Sequence, residues 1–316
     1  MKYDVVALGE LLIDFASRSV SAIGYPTMEA LPGGAPANFL AALTKYGYKT
    51  AFLGKVGEDT FGNLLVGTVK DAGIETKGLV VDPKVFTTLA FVTFDATGDR
   101  SFSFARKPGA DTQLCWEEVD QSIIDESRVF HFGTLSLTDE PVRTATRKCV
   151  AYAKEKGKLI TCDPNLRKPL WPSEDAAREQ ILWSLQQADV VKISDDEVDF
   201  LWSCTPEEGA DKLLQEFGVK LAMVTLGPKG CLMKTAQACC RVHSPKVSPV
   251  DTTGAGDIFG GSAVSRLLEL DKPIDALTEE DLAFIGGFAA TAASLSTEFP
   301  GCIPSIPEKE TVLARM

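Results

Sequence analysis

Short apolar runs alternate with segments of helical period along most of this chain. The runs Tyr3–Leu8, Thr50–Val56, Val129–Phe132, Leu159–Cys162, Val190–Ile193 and Ala222–Leu226 are brief and almost continuously apolar, which predicts strands buried on both faces. Between them Phe61–Ala72, Val142–Lys156 and Pro206–Phe217 predict helices. Each is stopped by a glycine (Gly73, Gly157, Gly218) that suits the left-handed residue after a helix. Thr205-Pro206-Glu207-Glu208 reads as N-cap, N1 proline and capping-box glutamate, and Ser173 and Thr278 open helices running toward Gln187 and Thr297. Strands alternating with helices build βαβ units, so the expected class is α/β, a mainly parallel sheet with helices on both faces.

Two stretches break this rhythm. Leu89–Phe94 and Arg100–Phe104 alternate apolar and polar residues and are joined by Asp95-Ala96-Thr97-Gly98-Asp99, a hairpin signal, while Leu11–Leu31 has no helical period. Half-buried antiparallel strands inside an α/β chain predict a small sheet projecting from the main body as a lid. The expected division is a large domain of 1–10, 35–84 and 107–316 with a β lid of 11–34 and 85–106. No internal repeat or disordered linker interrupts it.

Charge narrows the partners. The 316 residues carry 32 Lys and Arg against 44 Asp and Glu, a net charge of −12 that argues against nucleic acid or an anionic membrane as partner. The only histidines, His131 and His243, argue against a multi-histidine metal site and leave few nucleophile–histidine pairs. The eight cysteines include no C-x-x-C pair, and several lie in apolar runs, as free thiols do. The first ten residues read as a strand and not a signal peptide, and the uncharged stretch from Phe284 to Thr297 is too short to span a bilayer. A reduced, cytoplasmic protein is expected.

Four segments carry chemistry. Asp251-Thr252-Thr253-Gly254-Ala255-Gly256-Asp257 leads into the helical Ser262–Leu270, so small residues would leave the first helix amides open to an anion. Asp257 is there either a proton acceptor beside a reacting phosphate or an acid that complements the helix dipole. Thr225-Leu226-Gly227-Pro228-Lys229-Gly230 ends a strand, where open α/β sheets bind ligands, and is otherwise a plain turn into Cys231–Lys234. Gly33-Gly34-Ala35-Pro36-Ala37-Asn38 precedes a predicted helix, Phe39–Tyr46; its glycines permit close approach of a ligand, and Asn38 offers a donor and an acceptor or serves as N-cap. Asp14 closes Gly9-Glu10-Leu11-Leu12-Ile13-Asp14, a strand-end carboxylate able to accept two hydroxyl bonds or simply to be solvated. Neither G-x-x-x-x-G-K-[ST] nor G-x-G-x-x-G occurs, which disfavours P-loop enzymes and nicotinamide oxidoreductases.

In this order and spacing, the four segments resemble the ribokinase-like (PfkB) family of sugar and nucleoside kinases over essentially the whole chain. The resemblance implies the three-layer fold with its β lid, and ATP and a sugar as small-molecule partners. It also implies Asp257 as catalytic base, with Gly254, Ala255 and Gly256 supplying anion-hole amides. Asp14, Gly33, Gly34 and Asn38 would hold the sugar, and Thr225, Gly227 and Gly230 would line the nucleotide site with Gly254 and Gly256. Gly9–Phe15, Arg106-Lys107-Pro108-Gly109-Ala110-Asp111 and Asp163-Pro164-Asn165-Leu166-Arg167 look most like fructokinase segments. They imply phosphorylation of D-fructose at O6, with Arg106 and Arg167 facing the sugar or the phosphoryl group and Phe102 and Phe104 closing over it.

Three positions depart from the family pattern. Ser194-Asp195-Asp196-Glu197 stands where the family has N-x-x-E; Glu197 would order Mg²⁺ through water, while Ser194, assigned to the nucleotide site, also forms a capping box. Ser262 replaces a smaller residue. Asp251, Thr253, Ser296 and Gly301 resemble a monovalent-cation site for K⁺, without the basic residue that relatives often carry before the glycine. The rivals are 2-keto-3-deoxygluconate kinase, ribokinase, aminoimidazole riboside kinase and, in another class, an inactive sugar-binding regulator. A homodimer joined through the lid is a further expectation.

Overall fold

A computed structural model describes residues 1–94 and 100–316. The predicted turn Asp95-Ala96-Thr97-Gly98-Asp99 therefore lies outside the described residues, as does the side chain of Phe102. The strands are β1 (Tyr3–Leu8), β2 (Leu12–Val20), β3 (Pro26–Gly33), β4 (Thr50–Gly57), β5 (Leu79–Asp82), β6 (Leu89–Phe94), β7 (Arg100–Ala105), β8 (Ser127–Gly133), β9 (Leu159–Asp163), β10 (Val190–Ser194), β11 (Leu221–Thr225), β12 (Cys231–Lys234) and β13 (Cys239–Val242). The first helices are α1 (Ala35–Lys45), α2 (Thr60–Asp71), α3 (Gln121–Asp125), α4 (Val142–Glu155) and α5 (Glu174–Gln187). They are followed by α6 (Asp195–Trp202), α7 (Pro206–Glu216), α8 (Ala255–Leu270), α9 (Glu279–Ser296) and α10 (Lys309–Leu313).

The large sheet runs β13-β12-β11-β10-β9-β8-β1-β4-β5. Its strands are parallel from β11 to β5, and an antiparallel hairpin, β12–β13, closes one edge. Every predicted core strand is present to within a residue or three at its ends. Their continuous apolarity has the expected cause: in β1, Val6 and Leu8 join one core while Val5 and Ala7 join the other. One core packs beneath α4, α5, α6 and α7, and the opposite face is covered by α1, α2, α8 and α9. The glycine stops Gly73, Gly157 and Gly218 all have positive φ, and the Thr205 and Thr278 capping boxes and the Ser173 cap all form.

The four-stranded lid sheet has the order β3-β2-β6-β7. Its outer pairs are antiparallel, but β2 and β6 run parallel, so the sheet is mixed and not purely antiparallel as expected. The reason is connectivity: β2 and β6 both leave the large domain in the same direction, separated by β3, α1, β4, α2 and β5.

After β1 the chain builds outward through β4 and β5, then returns to the other side of β1 with β8. This reversal places the carboxyl ends of β1, β8, β9, β10 and β11 around one crevice, where the site lies.

Candidate active site

Two cavities open at that crevice and meet at the start of α8. The first, of about 290 Å³, is walled by Glu10, Asp14, Gly34, Asn38, Phe104, Asn165, Arg167, Lys192 and the 250–257 segment. The second, of about 560 Å³, is walled by Thr225, Gly227, Gly230, the 244–249 segment, Phe259, and Ala290, Ala293 and Ser294 of α9. Thr252 and Gly256 belong to both walls. One is a polar chamber rimmed by carboxyls and the other a larger, mostly apolar chamber. The open end of a helix lies between them.

Helix α8 begins earlier than predicted, at Ala255, with Gly254 as its N-cap at φ 75°. Gly254 has to be glycine, because a Cβ there would run into Cys302 Sγ. The Ala255 N–H turns back toward the Thr252 carbonyl (3.4 Å), so the amides of Gly256 and Asp257 are the better placed of the helix-start donors. Asp257 falls in the first helical turn, half-buried, with Oδ2 accepting from Asn38 Nδ2 at 2.8 Å. Burial pushes the Asp257 carboxyl above its ordinary value. The Asn38 bond and the charges of Lys192 and Arg167 oppose that, and Asp14 adds to it. A carboxyl so arranged is little solvated and held beside a hydrogen-bond donor and two cations, which suits abstraction of a hydroxyl proton.

Asn38 is not an N-cap. Gly34, at φ 129°, caps α1 four residues earlier, with Pro36 in the first turn, and Asn38 is buried in the helix. Gly34 lies against the Glu10 carbonyl, and Gly33 lies against the Asp14 carboxylate, where a Cβ would collide with Oδ2. The paired glycines thus let α1 start directly beside the first carboxylates of the cavity. Burial raises the Asp14 carboxyl to about 6, moderated by Arg167.

The structure separates the two predicted arginines. Arg167 reaches the cavity wall. Arg106 does not: its guanidinium is buried and donates to Asp111 Oδ2 (2.9 and 2.7 Å), Thr138 Oγ1 (2.7 Å) and the Leu135 carbonyl (2.9 Å). It braces the loop behind the cavity, because Asp111, five residues on, supplies the carboxylate that a buried guanidinium requires.

Ser194 and Glu197 take the capping arrangement. Glu197 Oε2 accepts from Ser194 N (2.8 Å) and Oγ (3.0 Å), and Oε1 accepts from Leu166 N (2.7 Å). Glu197 is buried and spent on the chain, so it does not fit a direct metal ligand, and neither residue lines the nucleotide chamber. Around the expected cation site, Asp251 accepts from Thr253 N (3.0 Å) and Gly301 N (3.3 Å), and the Ser296 hydroxyl donates to the Ala293 carbonyl (2.8 Å). Asp251, Thr253 and Gly301 are drawn together with Ser296 near by at the end of α9, an oxygen-only set that suits a hard cation. Among the described residues no group of three or more His, Cys, Asp or Glu side chains is placed to hold a metal ion.

Several wall residues escaped the sequence reading. Glu10 accepts the Ala35 N–H at 3.0 Å, and burial pushes its carboxyl up to about 7. Asn165 holds φ 45°, and its N–H donates to Asp163 Oδ1 (3.1 Å). Lys192 was legible as a charged residue inside the apolar run of β10. The 244–249 segment and the α9 alanines carried no chemical signal, since they contribute only shape and apolar surface. His131 is buried, stacked on Phe39 with ring centroids 3.7 Å apart, and held neutral by burial, with a pKa of about 3.

Comparison with known proteins accords with this arrangement. The model of the pfkB family carbohydrate kinases matches residues 2–309. The chain is 41% identical over 312 residues to fructokinase-1 of Zea mays, covering 98% of this chain and 96% of that one. It is 41% identical over 315 residues to the probable chloroplastic fructokinase-6 of Arabidopsis thaliana, covering 98% and 81%. Among solved structures, fructokinase with bound ATP from Xylella fastidiosa superposes with a TM-score of 0.91 at 28% identity, covering 99% of this chain and 98% of that one. A fructokinase double mutant from Vibrio cholerae O395 with fructose, ADP and potassium ion superposes at 0.88 and 29% identity, covering 99% and 98%. The chain belongs to the pfkB family of carbohydrate kinases.

Proposed function

We propose that this protein is an ATP-dependent fructokinase, transferring the γ-phosphoryl group of ATP to O6 of D-fructose with Asp257 as general base. The observation that carries the reading is the position of Asp257: its carboxylate lines the polar chamber one residue beyond Gly256, which lines both chambers. A sugar hydroxyl in the first chamber and a γ-phosphate arriving from the second would meet at the amides of Gly256 and Asp257. Asp257 takes the hydroxyl proton as the oxygen attacks in line, and the helix-start amides and Arg167 stabilise the charge on the phosphoryl oxygens. Phe104, on the lid, walls the sugar side and helps to exclude water.

The polar chamber favours a neutral sugar. Its wall holds Glu10, Asp14, Asp251 and Asp257 against only Lys192 and Arg167. With Arg106 turned away, a carboxylate-bearing sugar acid would meet net repulsion. Mg²⁺ would come with the nucleotide phosphates, whose charge it neutralises; the E. coli putative ribokinase II with ATP and Mg²⁺ superposes at a TM-score of 0.86 and 29% identity. K⁺ would be held by the oxygens at Asp251, Thr253, Ser296 and Gly301. Eight free cysteines fit a reducing compartment such as the cytoplasm, and no helix among the described residues is long and apolar enough to cross a membrane. Val20, Ile23 and Tyr25, at the β2–β3 end of the lid, are largely exposed and would pair with a second copy, which light scattering would register as a dimer.

Turnover with ATP and D-fructose, 2-keto-3-deoxygluconate, ribose or aminoimidazole riboside tests the reading. D-Fructose should give the highest kcat/KM, and preference for any other sugar overturns it; no ADP release with any sugar would make the protein a sugar-binding regulator. Asp257→Asn should cut kcat by about 10²–10⁴-fold with sugar affinity retained.

A further inference from the structure

Lys192 sits in the middle of β10 between Ile193 and Val191, which face one core, while its own side chain is buried on the opposite face. An ammonium there costs several kcal/mol of lost hydration unless a counter-charge is fixed beside it. Asp163, at the carboxyl end of the neighbouring strand β9, provides that charge, with Oδ2 at 2.9 Å from Nζ. Burial works against the Lys192 ammonium, but Asp163, Glu197 and Asp257 outweigh it, and its pKa stands above the ordinary value.

The place of this pair gives it a use beyond holding two strands together. Lys192 Nζ lies 3.0 Å from the position a Cβ on Gly256 would occupy, directly under the first turn of α8. Lys192, Asp163 and Asp257 also share the wall of a small hollow of about 20 Å³, room for one water molecule, which His131 and Thr161 line as well. The groups facing Asp257 come from several elements, and Glu10 after β1 and Asp251 before α8 share its chamber wall as further carboxyls. Asn38 on α1 donates to it, Lys192 on β10 and Arg167 after β9 attract it, and Asp14 on β2 repels it. Asp163 and Glu197 face it through Lys192, the Cys302 thiol lies beside it, and His131 on β8 is neutral.

We infer that Lys192, locked by Asp163, is a positioning residue for phosphoryl transfer: a fixed positive charge beneath Gly256 that holds the Asp257 carboxylate in its proton-accepting state and orientation. This rests on Asp257 being the general base. Arg167 reaches the same carboxylate from a loop, whereas Lys192 reaches it from a central strand whose backbone is bonded on both sides, so its charge cannot follow the substrate in and out. Exchange of Lys192 for a neutral residue alone would strand Asp163, so a double variant is made as well, Lys192→Met with Asp163→Asn, in which neither charge is left unpaired.

The test compares that double variant, Lys192→Arg and Lys192→Met with the native enzyme, after circular dichroism shows which are folded. The pH profile of kcat/KM for D-fructose is read together with D-fructose affinity by calorimetry. Loss of the ammonium in Lys192→Met should lower kcat by about 10–100-fold and move the acid limb of the profile to higher pH by about one unit, with sugar affinity changed little; the double variant, which also removes the repulsion of Asp163, should move it by less. Lys192→Arg, which keeps the charge, should leave the limb near its native position; if Lys192→Met does not fold, Asp163→Asn, which frees the ammonium of its counter-charge, should move the limb to lower pH, and an unmoved limb there overturns the inference. In folded Lys192→Met, an acid limb at the native pH overturns the inference whether or not kcat falls, because a merely structural role moves stability and not titration. Failure of the underlying reading is separate: near-native turnover by Asp257→Asn removes the base itself, whatever Lys192 does.

Discussion

Asn38 Nδ2 donates to Asp257 Oδ2 at 2.8 Å, joining two helices through residues 219 positions apart in the sequence. The bond favours the anionic form of Asp257 and leaves the buried Asn38 Oδ1 without a protein partner, free to accept a hydroxyl from the cavity.

Replacement of Asn38 by alanine removes a hydrogen bond to a charged acceptor, worth about 1.5–3 kcal/mol. We expect kcat to fall by about 10–100-fold, with weaker sugar binding. The sign of the pH effect follows from the bond: without it the Asp257 carboxyl rises further, so the acid limb of kcat/KM shifts to higher pH. An unshifted limb would assign Asn38 to sugar contact alone.

Gly254 combines positive φ with contact against Cys302. Gly254→Ala should cost about 1–3 kcal/mol of stability from backbone strain, and more from the collision, with loss of phosphoryl transfer as the helix start shifts. Adding Cys302→Ala should recover part of the melting temperature, because only the collision is relieved. No recovery would place the whole cost in the backbone.

Glu10 contributes to stability in a pH-dependent way. Its folded-state carboxyl is raised by burial from about 4.5 to about 7, so the folded protein holds this proton more tightly than the unfolded chain does. The stability tied to it is complete below the unfolded value and is lost as pH rises through about 7. Glu10→Gln, which keeps an acceptor for the Ala35 N–H, should therefore raise stability by up to about 3 kcal/mol at pH 8 and change it little at pH 4. Denaturant titration at the two pH values checks this, and an equal gain at both would refute it.

The two arginines should part company when mutated. Arg106→Met breaks a buried ion pair and should cost about 3–5 kcal/mol of stability. Arg167→Met should change stability by less than about 1 kcal/mol and lower kcat by about 100-fold, as loss of a charge donor to the phosphoryl group does. Thermal melts beside steady-state kinetics separate them; a catalytic loss without a melting change in Arg106→Met would contradict the brace assigned to it.

Much of the fold was legible because its signals are local. Apolar runs of strand length, glycine stops and capping boxes are properties of five to fifteen consecutive residues, and β1, β4, β8, β9, β10 and β11 appear where the pattern puts them. The helix starts at the site were read late. α8 opens at Ala255 and α1 at Ala35, because glycine caps with positive φ carry no side-chain signature of the kind Ser or Thr leaves. The parallel pairing of β2 with β6 was likewise invisible, since it depends on which strand ends the intervening βαβ unit brings together.

The sequence by itself determined the α/β class, the glycine-rich helix starts, the spacing of Asp14, Asn38 and Asp257 that carried the family resemblance, and the acidic balance that sets nucleic acid aside. Tertiary structure alone decided which charges face the substrate. Arg106 directly follows β7 and Lys192 lies within β10, and only the fold turns one inward onto Asp111 and brings the other beneath Gly256. The physical reason is that a buried charge takes its role from the counter-charge placed beside it. For Arg106 that partner is near in sequence; for Lys192 it is on the next strand, 29 residues away, and no local pattern records such a neighbour.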